Sequence, residues 1–417
     1  TRRSSDLAVL MDNYRFVDIG PRRVNVEKDT YRFLQGLRGS WNNWDWETAV
    51  FVSKATSDDI TSNRLSNTFV EEALALSSPE AYNPFNGGGN FNEYLLYGQD
   101  QTPSLDGSIK NAIIDVYRKG ERKLKGWDFK MANLKFLKIN SGFISLVAGA
   151  EYREDSFKDD RDPRLDGTIL YTDKDGDTYP FVSDVMNSSP TPDNSGKRDV
   201  ISTFFELGIP LISEDMNIPF VKSIDIQVAG RYEDFSDIGS KAVPKIAIGW
   251  QFIDELMFRG SWSKGFRAPN LVQINESIVS RQIYGVDALL CLQQINNNGQ
   301  VDYCDYSLQR VARGSKELRP EESTNISIGV VYEPKSIKNL IFTVDWWEIE
   351  KKDTIGLFGE DNIMLTDLLL RMESNNLNDC SSVKSSPFVF RENPDEGEIE
   401  SYLNAGICPA GRVSRVE

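Results

Sequence analysis

The sequence predicts an all-β protein: an antiparallel, up-and-down β-barrel whose strands cross a membrane. Three observations carry this. Strand-length segments alternate apolar and polar residues with a period of two. The connections between them alternate between short and very long. Aromatic residues gather near the segment ends.

Alternation marks eleven segments: Asp12–Asp18, Asp29–Gly39, Trp46–Ala55, Trp127–Leu137, Ser141–Tyr152, Asp199–Ile209, Ser223–Tyr232, Val243–Trp250, Leu256–Lys264, Thr324–Tyr332 and Leu340–Ile349. In Ser141–Tyr152 one face is Ile144, Leu146, Ala148, Ala150 and Tyr152, and the other includes Ser145, Gly149 and Glu151. In Ser223–Tyr232, Ile224, Ile226, Val228 and Tyr232 oppose Asp225, Gln227 and Arg231. In Leu256–Lys264, Leu256, Phe258 and Trp262 oppose Met257, Arg259 and Ser261. Such a pattern suits a sandwich, with its apolar face on a core, as well as a barrel, with its apolar face on lipid and its polar face on a wet lumen.

The connections separate the two. Joins 40–45, 138–140, 210–222, 251–255 and 333–339 are short. The intervening joins 56–126, 153–198 and 265–323, and everything after Glu350, are long, while 19–28 and 233–242 are moderate. In an up-and-down sheet alternate joins lie at opposite ends, so one rim carries turns and the other long loops, as in outer-membrane barrels. Trp41, Trp44, Trp46, Trp250 and Phe252 sit at short turns. Trp262, Phe266, Trp346 and Trp347 lie toward the other strand ends, as two interfacial girdles require. Within the long joins, Ile363 to Met372 has helical spacing. Phe85–Asn90 is a glycine-rich turn with neither the Lys-Ser/Thr nor the strand-to-helix setting of a phosphate loop.

Composition narrows the function. The 417 residues carry 63 acidic and 47 basic side chains, a net charge of -16, which disfavours nucleic acid. Mean hydropathy is -0.41, and no apolar run reaches the roughly 18 residues of a membrane helix. A barrel strand needs only one apolar face. The chain starts at Thr1, so it is expected to be a processed or cut product. There is no histidine, which closes off catalytic triads and histidine-ligated metal centres. Cys291, Cys304, Cys380 and Cys408 contain no CxxC. Spread over loop-like sequence, they fit disulfides in an oxidising compartment, against the plainer reading of four free thiols.

Successive segments carry a resemblance: WDWETAV (44–50), YNPFNGGG (82–89), GAEYRED (149–155), FFELGIPL (204–211), RYEDFSDIGSKAVPKIAIGW (231–250), RGSWSKGFRAPNL (259–271), LRPEESTNISIGVVYEP (318–334) and FTVDWWEI (342–349). In content and order they resemble TonB-dependent outer-membrane receptors, and the pairing of GFRAP (265–269) with LRPEES (318–323) is the more specific part. The resemblance implies a plugged barrel of roughly 22 strands. Residues 1–417 are then expected to be a partial barrel domain, with plug, TonB box and final strands outside it. It further implies a Gram-negative outer membrane and contact with its lipid and lipopolysaccharide. Coupling would run to the TonB–ExbB–ExbD complex through the plug. The implied cargo is scarce: siderophore-bound iron, cobalamin or an oligosaccharide.

Site candidates follow from strand parity and loop position. Glu151, Asp225, Gln227, Arg231 and Arg259 are expected on the lumen wall, where they contact a solute or merely solvate the wall. Lys264 and Arg267 flank the mouth of a long loop, to anchor it or to meet lipopolysaccharide phosphates. Tyr284, Tyr303 and Tyr306 are loop aromatics suited to ligand contact. A Cys291–Cys304 bridge and a Cys380–Cys408 bridge would each stiffen one loop, though the connectivity stays open. No cofactor is expected beyond one calcium candidate. Asp173, Asp175, Asp177 and Asp184 fall at positions 1, 3, 5 and 12 of a calcium loop, but position 6 is Thr178 instead of glycine. Two other readings are a secreted β-rich glycan-processing enzyme, which needs a carboxylate pair across a cleft, and a non-transporting adhesin.

Overall fold

Strict alternation over long stretches leaves each strand one face to bury and one to hydrate, and pairing side by side satisfies the backbone. The computed structural model describes residues 14, 16, 19–78, 80–82, 84, 109–301 and 303–417, except the side chains of Pro180 and Phe181. The strands are β1 (Arg23–Trp41), β2 (Trp44–Leu65), β3 (Ile113–Ile139), β4 (Gly142–Arg161), β5 (Leu170–Thr172), β6 (Thr178–Ser183), β7 (Asn194–Ile212) and β8 (Ser223–Phe235). They continue with β9 (Gly239–Ile253), β10 (Leu256–Arg267), β11 (Val279–Val286), β12 (Asp305–Ala312), β13 (Glu321–Tyr332), β14 (Phe342–Lys352), β15 (Val389–Arg391) and β16 (Val413–Val416). The helices are α1 (Asn67–Ala75), α2 (Ile109–Ala112), α3 (Pro163–Asp166), α4 (Leu271–Asn275), α5 (Ala288–Asn298), α6 (Glu360–Glu373) and α7 (Glu396–Asn404).

Ten strands form one antiparallel sheet in the order β1-β2-β3-β4-β7-β8-β9-β10-β13-β14, so wall strands pair strictly in chain order. This is the up-and-down topology expected. Ten of the eleven sequence-predicted strands lie in it; Asp12–Asp18 falls largely outside the described residues, as does Phe85–Asn90. The predicted helix 363–372 lies within α6.

One rim carries only short joins. The Trp41↔Trp44 pair closes a turn through Asn42, at φ 53 in the left-handed region that asparagine tolerates. The opposite rim carries the excursions 66–112, 162–193, 268–320 and 353–417. Two expectations need correction. The β8–β9 join on the long-loop rim is a tight turn at 236–238, with Gly239 at φ +74. The first long loop is also shorter than expected, because β2 and β3 run on in register to Leu65↔Ile113. Their upper halves are charged on both faces, so no apolar alternation betrays them.

Register fixes the faces. The outward face of β4 runs Ile144, Leu146, Ala148, Ala150, Tyr152, then Glu154. Those eight residue steps, at about 3.4 Å each, give an apolar band about 27 Å long on the strand, the scale of a hydrocarbon layer. On neighbouring strands the same face carries Val50, Phe205, Ile246, Ile248, Ile328 and Trp346, all exposed. Buried clusters lie elsewhere. Leu65, Val70, Ala73, Tyr82, Ile109 and Ala112 pack within the first long loop. Two further clusters lie in the third and fourth. A sandwich would reverse this, hiding the strand aliphatics between two sheets.

Candidate functional site

The inward face changes character toward the long-loop rim. Alternation and register place Arg32, Arg118, Arg122, Arg153, Arg161 and Arg198 on it, with Lys28. Some are neutralised locally. Arg118 binds Asp159 through two hydrogen bonds of 2.8 and 2.9 Å, and Arg161 reaches the same carboxylate at 2.7 Å. Arg198 donates to Asp237 at 2.9 Å and to the Pro269 carbonyl at 2.8 Å, and lies over the Phe235 ring. Arg32, Arg122 and Arg153 are exposed and make no ion pair among the described residues.

A cavity of about 530 Å³ opens there, lined by Lys28, Arg118, Arg122, Arg161, Asn194 and Glu276 among others. Two lining atoms, Arg161 Nε and Asn194 Oδ1, are buried without a hydrogen-bond partner among the described residues. The stretch that follows GFRAP builds part of the lining, through Val272, Glu276, Ser277 and Val279. Arg267 pairs with Glu321 at 3.1 Å, holding the chain as it leaves β10. Asn270 then caps α4 in a capping box with Gln273. Ser277 donates to the Asp193 carbonyl at 3.0 Å, tying the loop to the segment before β7. Lys264 lines a small hollow with Lys241, Glu322, Glu350 and Lys352.

Deeper on the inward face the sequence-predicted residues fall into separate groups. Arg231 binds Glu151 at 2.5 Å and Glu233 at 2.6 Å, and lies over the Phe204 ring. Arg259 binds Asp345 through bonds of 2.9 and 2.6 Å, a bidentate fork. Gln227 donates to Glu206. Asp225, Gln227 and Arg259 share a hollow of about 570 Å³ with Ser145, Ser261 and Ser327. The structure therefore unites Glu151 with Arg231, and Asp225 with Gln227 and Arg259. Parity found these residues; it missed Glu206, Glu233 and Asp345, whose roles depend on which strand lies alongside.

The third and fourth long loops fold together. β11, β12, β16 and β15 form a four-stranded sheet against α6, with α5 packed on α6 and α7 on α5. Cys291 pairs with Cys304 and Cys380 with Cys408, so each bridge lies within one loop. The loops meet through a buried ionic network. Arg391 grips Asp287 with bonds of 2.8 and 2.9 Å and reaches Asp367 at 3.2 Å, and Arg371 joins Asp367 at 3.0 Å. Asp287 also caps α5. The Arg391 guanidinium holds the Asp287 carboxyl below the ordinary aspartate range despite its burial, and Asp287 in turn raises Arg391. Nothing in the sequence distinguishes these residues from other loop charges.

The three loop tyrosines separate. Tyr284 and Tyr303 are 82% and 86% exposed. Tyr306 is half-buried; its hydroxyl donates to Asp287 at 2.8 Å and accepts from the Val413 amide at 2.6 Å. Burial beside the Asp287 carboxylate raises its pKa. That hydroxyl is committed to joining the loops, so the expectation of a ligand contact by Tyr306 does not fit its geometry.

The calcium expectation is also corrected. Asp173, Asp175 and Asp177 form the exposed turn between β5 and β6, where Asp173 accepts from the amides of Asp175 and Asp177 at 3.0 and 2.9 Å. Asp184 is fully buried elsewhere, accepting from Ser66 at 2.8 Å, from the Thr68 amide at 2.9 Å and from Arg164. Among the described residues no three His, Cys, Asp or Glu side chains converge as a metal site. The β-hairpin between Asp173 and Asp184 separates positions that a helix-flanked loop would gather.

The up-and-down wall, the outward apolar band and the loop-covered mouth define a barrel receptor. The family model described as TonB dependent receptor-like, beta-barrel, matches residues 5–377, and the chain belongs to this family of receptors and transporters. A curated relative, the probable TonB-dependent siderophore receptor PirA of Acinetobacter baumannii, is 24% identical over 254 residues, covering 60% of this chain and 28% of its own length. The crystal structure of the siderophore receptor PirA from A. baumannii aligns with 79% of this chain and 35% of its own, at 17% identity and a TM-score of 0.45. A ferric enterobactin receptor structure from Pseudomonas aeruginosa aligns with the same shares at 15% identity and a TM-score of 0.44. The matched region thus spans about a third of these relatives.

Proposed function

We propose that the chain forms part of a Gram-negative outer-membrane receptor that captures a small anionic metal chelate of the siderophore class at the barrel mouth. Uptake is then driven by TonB–ExbB–ExbD through a plug domain. The observation that carries the ligand class is the set of guanidiniums, Arg32, Arg122 and Arg153, that make no ion pair among the described residues and lie on the inward wall of a chain whose net charge is -16. A planar guanidinium fork binds carboxylate or catecholate oxygens in pairs. The siderophore-receptor name of the relative agrees with this reading.

Equilibrium binding to the intact receptor tests it, read by tryptophan fluorescence with a ferric siderophore, cobalamin and a neutral oligosaccharide as probes. The ferric chelate is expected to bind tightest. Each Arg→Gln change at 122 or 153 is expected to weaken it about 10- to 150-fold, the value of a charge-assisted hydrogen bond. Tighter binding of the oligosaccharide, unaffected by these changes, would overturn the anionic reading. It would favour sugar capture by the exposed rings of Tyr284 and Tyr303. Radioactive iron uptake that persists without TonB would remove the coupling step.

A further inference from the structure

The crown of the wall brings two further arginines together, apart from the cavity already described. The outward apolar run of β2 ends at Val52, before Lys54. From residue 52 to residue 64 the strand climbs about 40 Å, so its top stands well clear of the lipid. There β2 bulges between Thr61 and Arg64, with Asn63 in the bulge at φ 59. The Asn63 side-chain amide donates to the Pro21 carbonyl at 2.8 Å, which fixes the chain beside Arg22 where β1 begins. The segment after β6 lies along the end of β2. Ser66 bridges Val185, and the Met186 amide donates to the Leu65 carbonyl at 2.8 Å. Arg64 is tied to that segment too, donating through Nη2 to the Met186 carbonyl at 2.7 Å and to Ser188 Oγ.

These pieces surround a cavity of about 510 Å³, lined by Arg22 and Arg64 together with Tyr14, Phe16, Ile19 and Met186 among others. No carboxylate lines it. By contrast the arginine-wall cavity includes Asp159 and Glu276, the hollow beside Arg259 includes Asp225, and the one beside Lys264 includes Glu322. Neither Arg22 nor Arg64 makes an ion pair among the described residues, and the remaining guanidinium nitrogens of Arg64 make no hydrogen bond there. Burial, with the charge of Arg22 beside it, pushes the Arg64 guanidinium down to about 10. A half-buried cation facing a second cation is a costly arrangement that an anion relieves, and the lining supplies none.

We infer that this cavity binds a soluble phosphate monoester with an apolar body, its phosphate between Arg22 and Arg64 and its body against Tyr14, Phe16 and Ile19. Three features select this occupant. A phosphate monoester concentrates nearly two charges on one group, which matches two cations lining one cavity, whereas a carboxylate brings one. Its oxygens accept from guanidinium forks in pairs. The height of the site above the apolar band keeps it out of reach of phosphates at the bilayer surface. The site is separate from the arginine wall and does not depend on which cargo that wall takes.

The test is isothermal titration of the intact receptor in detergent and phosphate-free buffer, with phenyl phosphate, benzoate and phenol as probes. Phenyl phosphate is expected to bind once per chain, benzoate about 10-fold more weakly, and phenol not at all. Arg22→Gln should weaken phenyl phosphate about 10-fold, the low end for a charge-assisted hydrogen bond, and Arg22→Lys should recover most of the loss. Arg22 suits this because its exposed side chain makes no hydrogen bond among the described residues, so the fold does not rest on it. Arg64→Gln should weaken binding at least as much, although it also releases the Met186 and Ser188 contacts. Saturating ferric siderophore should leave the phenyl phosphate titration unchanged. Benzoate binding as tightly as phenyl phosphate would overturn the site, as would unchanged affinity in the folded Arg22→Gln receptor. Displacement of phenyl phosphate by the ferric chelate would place it at the arginine wall and overturn the site as a separate one.

Discussion

Arg391→Met removes the cation that joins the two folded loops while nearly preserving side-chain volume. Arg391 is almost fully enclosed, and three of its bonds run to Asp287 and Asp367, with a fourth to the Gly411 carbonyl at 3.0 Å. After substitution Asp367 keeps Arg371, and Asp287 keeps only Tyr306 and the α5 amides. Removing one partner of a buried pair costs about 3–5 kcal/mol, mostly the penalty of the carboxylate left behind. The two disulfides still close their own loops, so the loss falls on the contact between loops. Opening of that contact should rise roughly a hundred- to several-thousand-fold. Native-state hydrogen exchange reads it where the two loops bond to each other: at the Val413 amide, bonded to the Tyr306 hydroxyl, and along the pairing of Gln309 with Arg415 and Arg310 with Val416. Wall amides in β8 and β9 should not change. Adding Asp287→Leu should recover part of the loss, because no buried charge then stands alone. Unchanged exchange in Arg391→Met, or equal acceleration in the wall, would refute the assignment of the network as the joint.

The same network predicts a pH dependence. Asp287 has a folded-state pKa below its ordinary 3.8, so its contribution is fully present above that value and is lost as pH falls through the lower folded pKa; exchange at the Val413 amide, which bonds across the joint to Tyr306, should accelerate only in that acidic window. Gly149→Val places a side chain against the Phe204 ring and 2.6 Å from the Phe129 carbonyl; overpacking of about 1–3 kcal/mol should lower the fraction of heat-modifiable barrel on a gel. Combined Cys291→Ser and Cys304→Ser should lower the stability of the folded loops by about 2–4 kcal/mol, read as faster trypsin cleavage within 288–312 with the wall left intact. Calcium should leave cleavage of the β5–β6 turn unchanged, since Asp184 is buried on the far side of Arg164.

The wall was legible because a lipid-facing strand writes its environment into every second residue. Where that environment ends, so does the signal. In β3 the half that is Trp127–Leu137 alternates cleanly, but Ile113–Gly126 carries charge on both faces, Lys119, Glu121, Lys123 and Lys125 on one and Arg118 and Arg122 on the other, and reads as loop. Water on both sides of a strand imposes no period. The lumen residues were legible as a set, since parity alone puts Glu151, Arg231 and Arg259 inside. Their partners were not, because register between strands joins Arg259 to Asp345 across 86 positions of sequence. Charge spacing misled at Asp173–Asp184, where a hairpin intervenes, and aromatic counting misled at Tyr306. The unpaired Arg32, Arg122 and Arg153 were missed. Once strands were extended past the membrane band, the same parity rule would have aligned them.

The wall and the folded loops are stabilised by different means, and this decides where the mouth can adapt. The wall hides its apolar face in lipid and needs no core of its own. The loops stand in water on segments too short for a large core, so they add two disulfides and a buried ionic joint to their two small clusters. Both bodies are therefore internally fixed. The segments between them carry little of either device. Residues 353–359 hold Asp353 at φ 54 and Gly359 at φ 85, with Leu357 and Phe358 exposed. Residues 313–320 hang on Gly314 and Ser315, bonded back to Glu276 and Gln273 beside α4. Gly314 has no room for a side chain there, since a Cβ would lie 2.7 Å from the Glu276 amide. The α4 segment supplies Val272, Glu276 and Ser277 to the cavity at the arginine wall, so the seam at Gly314 and Ser315 ties that lining to the chain as it leaves the folded loops.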